Sequence, residues 1–208
     1  MRFSNTTWAE QSHETIRLSS GLSVERPVAL SYDAPGMLIS IRESRVQDGS
    51  ALREIERLAG EHFRDVGLDS VADDEPASIK ELAAYALSGQ AWVAVDERDR
   101  PVGYVLAEVL GTNAHIEQLT VQPDRQGAGI GRALVERVIT WAAETSRPAI
   151  TLTTFAEVPW NRPLYEHLGF SVIPEDEIEP ELLAVRDAET LRGLDPATRV
   201  CMWLRLGT

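Results

Sequence analysis

"VQPDRQGAGIGRALVERV", residues 121–138, sets Gly127, Gly129 and Gly131 at alternate positions directly ahead of an amphipathic helical pattern. Glycine reaches backbone conformations closed to other residues and leaves neighbouring N–H groups uncovered. At the start of a helix, such N–H groups and the helix dipole together favour an anion. The stretch predicts an anion-binding turn that feeds a helix, and the identity of the anion decides both fold and function.

Three phosphate loops compete for it. A nucleotide P-loop, G-x-x-x-x-G-K-[ST], needs a lysine for the outer phosphates and a hydroxyl for the metal. Gly131 is instead followed by Arg132 and Ala133, and the pattern occurs nowhere else in the chain. A dinucleotide loop, G-x-G-x-x-[GA], would place Arg132 or Leu134 at its last position, and it wants a leading strand–helix–strand unit that the order of elements lacks. The pattern Q/R-x-x-G-x-G/A remains, and residues 126–131 match it at each fixed position.

Outward from the loop, "AHIEQLTVQP" reads as the strand before it, and Ile130, Leu134, Val138 and Trp141 give the following helix one apolar face. Earlier, "MLISIRES" from Met37 alternates as a half-buried strand. Leu52, Ile55, Ala59, Phe63 and Val66 predict one helix over 48–67, with Asp48 as N-cap and Gly67 as its stop. "DSVADDEPAS" reads as an acidic loop and "SIKELAAYALSG" as a second helix ended by Gly89. "AWVAVDE", "RDRP" and "VGYVLAEVL" read as a hairpin. Downstream, "AITLTTF" is a β-branched strand, "NRPLYEHLG" a short helix capped by Asn161, and "FSVIP" a short strand. Residues 175–197 read as an acidic, loop-like stretch with some helical pattern, and "RVCMWLRL" closes the chain as a strand. The order describes a single mixed α/β domain.

A length of 208 residues suffices for one buried core, and a hydrophobic content of 43% is ordinary for a soluble protein. No stretch approaches the roughly 20 apolar residues of a membrane span, and the N-terminus lacks the apolar run of a secretory signal. The single cysteine, Cys201, excludes an intrachain disulfide and suits a reducing cytoplasm. A net charge of −13 argues against general binding of nucleic acid or an anionic membrane. The acidic surface serves solubility and also suits a cationic substrate.

Taken together and in order, "IEQLTVQP", "DRQGAGIGRALV" and "TLTTFAEVPWNRPLYEHLGF" resemble the GNAT superfamily of acyl-CoA-dependent N-acyltransferases, over roughly residues 37–206. The resemblance implies an α/β fold with a mixed, mostly antiparallel central sheet flanked by helices. It divides the chain into an N-terminal extension or accessory arm, 1–36, and a GNAT domain, 37–208. It names acetyl-CoA as acyl donor, with its pyrophosphate cradled by Gln126, Gly127, Ala128, Gly129, Ile130, Gly131 and Arg132. Arg125 and Arg132 either add charge there or stand solvated.

The implied reaction is direct transfer of acetyl onto an amine, and it needs a polarised carbonyl, a proton acceptor and a proton donor. By resemblance, backbone groups of Leu119, Thr120 and Val121 bind the pantetheine arm and polarise the carbonyl where their strand splays from its neighbour. Tyr165 protonates the departing thiolate. Asn161 contacts the coenzyme arm or simply caps its helix, since it stands closer to Tyr165 than the commoner family spacing has it. Glu117 is the candidate base. His115, two residues before it on the same strand face, and a bridging water are alternatives, and His115 with Glu117 makes too small a set for a metal. Cys201, between Val200 and Met202, suits packing better than nucleophilic attack. Tyr85 and Trp160 line a pocket or pack in the core. The acceptor is a small-molecule or peptide amine, and the resemblance allows a homodimer. A non-catalytic acyl-CoA-binding or regulatory domain is the alternative, against which the retention of Glu117 and Tyr165 together counts.

Overall fold

The computed structural model describes residues 28–31 and 38–207. Strands β1 (Val28–Ser31), β2 (Leu38–Glu43), β3 (Ala91–Val95), β4 (Pro101–Leu110), β5 (Asn113–Val121), β6 (Ala149–Phe155), β7 (Ser171–Val172) and β8 (Arg199–Arg205) form one sheet. The order across it is β1-β2-β3-β4-β5-β6-β8-β7. Every neighbouring pair is antiparallel except β5 with β6. A parallel neighbour cannot be reached through a tight turn. The connection here is the glycine loop and helix α4 (Ile130–Glu144).

Helix α4 covers one face of the sheet. Its stripe of Ile130, Leu134 and Val138 is buried with Trp92, Val105, Ile116, Ile150 and Met202 from successive strands. Each such side chain contributes about 1.5–3 kcal/mol on leaving water. On the other face lie α1 (Gly49–Gly60), α2 (Asp69–Ala72), α3 (Ile79–Leu87) and α6 (Pro180–Leu191). There Leu52, Ile55 and Leu82 pack on Val93, Tyr104 and Leu106. Leu182 of α6 packs on Ile173 and Cys201. The short helix α5 (Arg162–His167) follows β6.

The fold class matches the expectation, and so do the hairpin, α3, α4 and the strands after them. Four local features differ. The predicted helix over 48–67 is α1 followed by a 3-10 turn, Glu61–Val66, which ends at Gly67 with φ 75°. Gly60, a poor helix former, marks the change of winding. Val66 is consequently exposed, while Phe63 turns to meet Phe155. Asp48 makes no side-chain cap on α1. Its carboxylate instead accepts from the Arg42 guanidinium at 2.7 and 3.1 Å and from the Arg45 N–H at 2.7 Å. The acidic loop after Gly67 contains α2. The acidic stretch 175–197 contains α6, opened by Pro180 in its first turn.

From the segment read as an extension, Val28–Ser31 adds β1 to β2 at the sheet edge. The rest of 1–36, and Met37, lie outside the described residues. Among the described residues no helix is long and apolar enough to cross a membrane.

Close approach fixes one glycine on β4. A Cβ on Gly103 would stand 3.0 Å from the Thr120 carbonyl oxygen and 3.2 Å from a Val121 methyl. Gly103→Val should therefore push β5 away and cost about 1–3 kcal/mol. A thermal melt should show a fall of roughly 2–4 °C per kcal/mol.

Candidate active site

The site begins with an irregularity in β5. Leu106 pairs with Gln118 and Ala107 with Ile116, so Glu117 is an extra residue opposite none on β4. Such a bulge bends its strand and re-aims a side chain. On the other side, the parallel register of β5 with β6 ends at Ile116↔Leu152, although β5 runs on to Val121 and β6 to Phe155. Beyond that point the two strands part.

The parting leaves backbone groups facing a gap. The Gln122 N–H donates to Val102 at 2.9 Å, which fixes the phase of the β4–β5 ladder. Alternation in an antiparallel ladder then turns the amide groups of Thr120 toward β4 and those of Leu119 and Val121 toward the open side. Of the three residues named from sequence, Leu119 and Val121 offer backbone there. Thr120 contributes a buried hydroxyl instead, which accepts from Gln118 Nε2 at 2.6 Å.

The glycine loop follows directly. The Gln126 carboxamide folds back onto the Val121 carbonyl at 3.4 Å. Gly127 and Gly129 take φ values of 78° and 76°, a region costly for any other residue. Gly129 is the N-cap of α4 and supplies no side-chain cap, so Ile130 and Gly131 lead with backbone alone. Ala128 packs on the core, and a Cβ on Gly127 would meet nothing within 4 Å. A helix N-terminus without a side-chain cap, fed by an open loop, fits a pyrophosphate. The flanking arginines are already engaged in ion pairs. Arg132 donates to Glu136 at 2.7 Å, and Arg125 stands 3.4 Å from Asp124.

His115 and Glu117 point to the face opposite α4. His115 is 1% exposed, and its Nδ1 lies 2.9 Å from the Thr151 hydroxyl, which donates to the Ala114 carbonyl at 3.3 Å. With that hydroxyl proton so directed, Nδ1–H is the donor, and Nε2 stands 3.9 Å from the Glu117 carboxylate. Burial pushes the imidazole down to about 4, against the pull of Glu189. His115 is therefore neutral at pH 7. Glu117 is shifted up by partial burial and then by Glu108, while Arg192 and Arg199 oppose the rise. A carboxylate raised toward the operating pH is a better proton acceptor.

Glu108 and Tyr85 complete this wall. Burial raises both, and Glu108 and Glu117 raise Tyr85 further. Two residues along β6 from Thr151, Thr153 donates to Glu189 at 2.5 Å and accepts from Arg199 at 2.9 Å. Arg199 grips Glu189 through two nitrogens, at 2.6 and 3.2 Å, and lies 4.5 Å over the Phe155 ring.

Tyr165 is half-buried on α5 and meets Phe170 edge-on at 5.7 Å. Burial raises its phenol to about 12, against the pull of Arg199, so it keeps its proton at neutral pH. Asn161 precedes α5 but makes no side-chain cap, which removes the simple capping role. Cys201 is buried, and burial raises its thiol, as suits packing.

Sequence reasoning missed Glu108, Glu189, Arg199 and Phe63. A glutamate inside the apolar run "VGYVLAEVL" was a legible sign of a strand face turned to a cleft. Nothing local to Glu189 or Arg199 tells that they meet.

The model of the Acetyltransferase (GNAT) family matches residues 52–170. A peptidyl-lysine N-acetyltransferase, YjaB, of Salmonella typhimurium is 32% identical over 144 residues, 69% of this chain and 90% of the relative. The solution structure of apo-form YjaB from Escherichia coli superposes with a TM-score of 0.52 at 26% identity, covering 82% of this chain and 99% of that one. The PaiA N-acetyltransferase of Thermoplasma acidophilum, crystallised with coenzyme A, gives a TM-score of 0.61 at 14% identity over 81% of this chain and 99% of the other. That last likeness speaks to the fold.

The buried histidine makes stability depend on pH. The unfolded chain takes up its proton near 6.5 and the folded chain only near about 4. The contribution is complete above 6.5 and is lost as pH falls toward 4, amounting to roughly 3 kcal/mol. Urea unfolding should show the wild-type protein losing more stability than His115→Asn between pH 7 and pH 5.

Proposed function

The chain belongs to the GNAT acetyltransferase family, and on that premise we propose that it acetylates the side-chain amine of lysine in a peptide or protein. It is an acetyl-CoA-dependent N-acetyltransferase. The observation that carries the reading is the parting of β5 from β6, with donor-facing amides in the gap and the Glu117 bulge beside them. The relative named a peptidyl-lysine N-acetyltransferase supports lysine as the acceptor. So do Glu108 and Glu117, which give the acceptor side a negative character suited to an ammonium group.

In this proposal the Leu119 and Val121 backbone holds the donor arm, and an N–H of that strand polarises the thioester carbonyl. Gln126 to Arg132 receive the pyrophosphate through the loop and the head of α4, and Asn161 steadies the arm. Glu117 takes a proton from the ammonium, directly or through a water, and the Nε2 lone pair of neutral His115 stands 3.9 Å from its carboxylate. The amine nitrogen then bonds to the acyl carbon as the carbon–sulfur bond breaks. The leaving sulfur takes the Tyr165 proton, and the second proton of the amine nitrogen, lost as the amide forms, restores the phenol. No step calls for a metal.

We also read residues 1–36 as an extension joined to the 37–208 domain through β1, and place the protein in the cytoplasm. With one cysteine the chain forms no intrachain disulfide, which suits that compartment.

Thiol release from acetyl-CoA with Nα-acetyl-lysine amide as acceptor tests the reading. Tyr165→Phe should bind CoA with wild-type affinity by calorimetry yet lose kcat, and Glu117→Gln should lose roughly 100- to 10,000-fold in turnover. The acid limb of the wild-type kcat profile should lie above the ordinary carboxylate value of 4.5. An acid limb unchanged in Glu117→Gln would remove Glu117 from the role of base. Undiminished turnover in Tyr165→Phe would remove the tyrosine as acid.

A further inference from the structure

The last residue of β6, Phe155, opens a chain of rings on the face that carries His115 and Glu117. Phe155 is 5% exposed, and Phe63 of the turn after α1 tilts against it at 5.6 Å. Phe63 in turn meets Trp160, in the loop before α5, edge-on at 5.9 Å. Trp160 is 38% exposed, and the His62 ring also meets it edge-on, at 6.5 Å. The rings therefore run from a buried base beside the strands to an exposed rim. Two separate loops supply them, one after α1 and one after β6.

The inner end of this wall is tied to the charged part of the cleft. The Arg199 guanidinium covers the Phe155 ring and grips Glu189, which accepts from Thr153. Thr153 stands two residues along the strand from Thr151, the partner of His115. Aromatic rings thus lead from solvent toward a region holding Glu117 and Glu108. A part-exposed indole set edge-on to a phenylalanine ring is a surface for methylene groups, because removing apolar area from water is what such a surface rewards.

We propose that Phe63 and Trp160 are specificity-determining residues of the acceptor site, and that they select amines with a straight aliphatic stem. The stem lies along the rings with its ammonium toward Glu117. This inference rests on the acceptor side assigned above, and it explains how lysine would be preferred to an amine without a stem. A buried methylene is worth roughly fourfold in affinity, so one covered on a single side is worth about two- to fourfold.

The test is a ladder of plain amines, ethylamine, butylamine and hexylamine, assayed by thiol release from acetyl-CoA. In the wild-type enzyme kcat/KM should rise by about two- to fourfold per added methylene. In Trp160→Ala the rise should flatten, so that the deficit grows with chain length, while Trp160→Tyr restores most of it. Phe63→Leu, which keeps apolar volume in place, should give a partial flattening. KM for acetyl-CoA should not move in any variant. An equal loss on all three amines would mark the rings as structural and overturn the proposal. An unchanged slope, or a wild-type enzyme that turns over none of the three, would overturn it as well. The lysine reading fails separately: Nα-acetyl-lysine amide refused by an enzyme with a sloped ladder sinks lysine and leaves the wall. Lysine amide accepted with a flat ladder does the reverse.

Discussion

Everything at this site depends on β5 and β6 being paired at one end and apart at the other. Ile116↔Leu152 is the last rung they share, and Glu117 bulges from the opposite ladder one residue later. A regular strand could not do both things. It would keep its outward N–H groups in a ladder, and it would keep its side chains in strict alternation. The bulge puts a carboxylate on the face opposite α4, while the parting frees strand amides along the other edge. The bulged carboxylate and the open amides thus lie within a few residues of one strand.

The charges around that strand bear on the protonation of its carboxylate more than on stability. Arg199 and Glu189 have side chains only 9% and 8% exposed. Taking both out of water costs most of what their attraction returns, so a buried pair of this kind is weak evidence of a stabilising role. Its arginine pulls the Tyr165 phenol down against burial, whereas at Glu117 the two partners oppose each other, Glu189 raising the carboxyl and Arg199 lowering it. Glu108 also raises Glu117. The candidate base is therefore held between burial and two like charges, Glu108 and Glu189, on one side and two arginines on the other, and burial, the largest of these, leaves it above the ordinary carboxylate value.

The sequence was most legible where a short pattern carries its own physics. Alternating glycines demanded left-handed turns and an open helix start, and both occur at Gly127 and Gly129. The apolar stripe of α4 and the β-branched run of β6 were equally direct. Legibility failed where tertiary contact overrides local pattern. The stripe of α1 continued on paper through Phe63 and Val66, but the chain rewinds after Gly60, and Phe63 joins an aromatic cluster that no periodicity encodes. Helix α6 was hidden by composition, since its buried residues, Leu182 and Glu189, give too little apolar period to read. Glu189 is buried because Arg199 waits for it on β8, and a partner on another element is invisible to any local reading. Asp48 shows the same limit, because an aspartate before a helix reads as a cap until Arg42 claims it.

A second network shows why α1 is fixed relative to β5. Tyr104 on β4 is 0% exposed and donates its hydroxyl to Glu56 of α1. It also meets the Thr120 hydroxyl on β5, which receives Gln118 Nε2. Burial holds the Tyr104 phenol well above its ordinary range, so it stays a donor, and burial raises Glu56 too. Buried polar groups of this kind tolerate few geometries, because a missing partner in a low dielectric is costly. The hydrogen bonds accordingly specify how α1 sits over β4 and how residues 118–120 sit against both. Since α1 leads into the turn that carries Phe63, the same contacts set where the aromatic wall stands relative to Leu119 and Val121. The aromatic wall and the open edge of β5 are built on separate elements, and the hydroxyl of one buried tyrosine is where their positions become a single constraint.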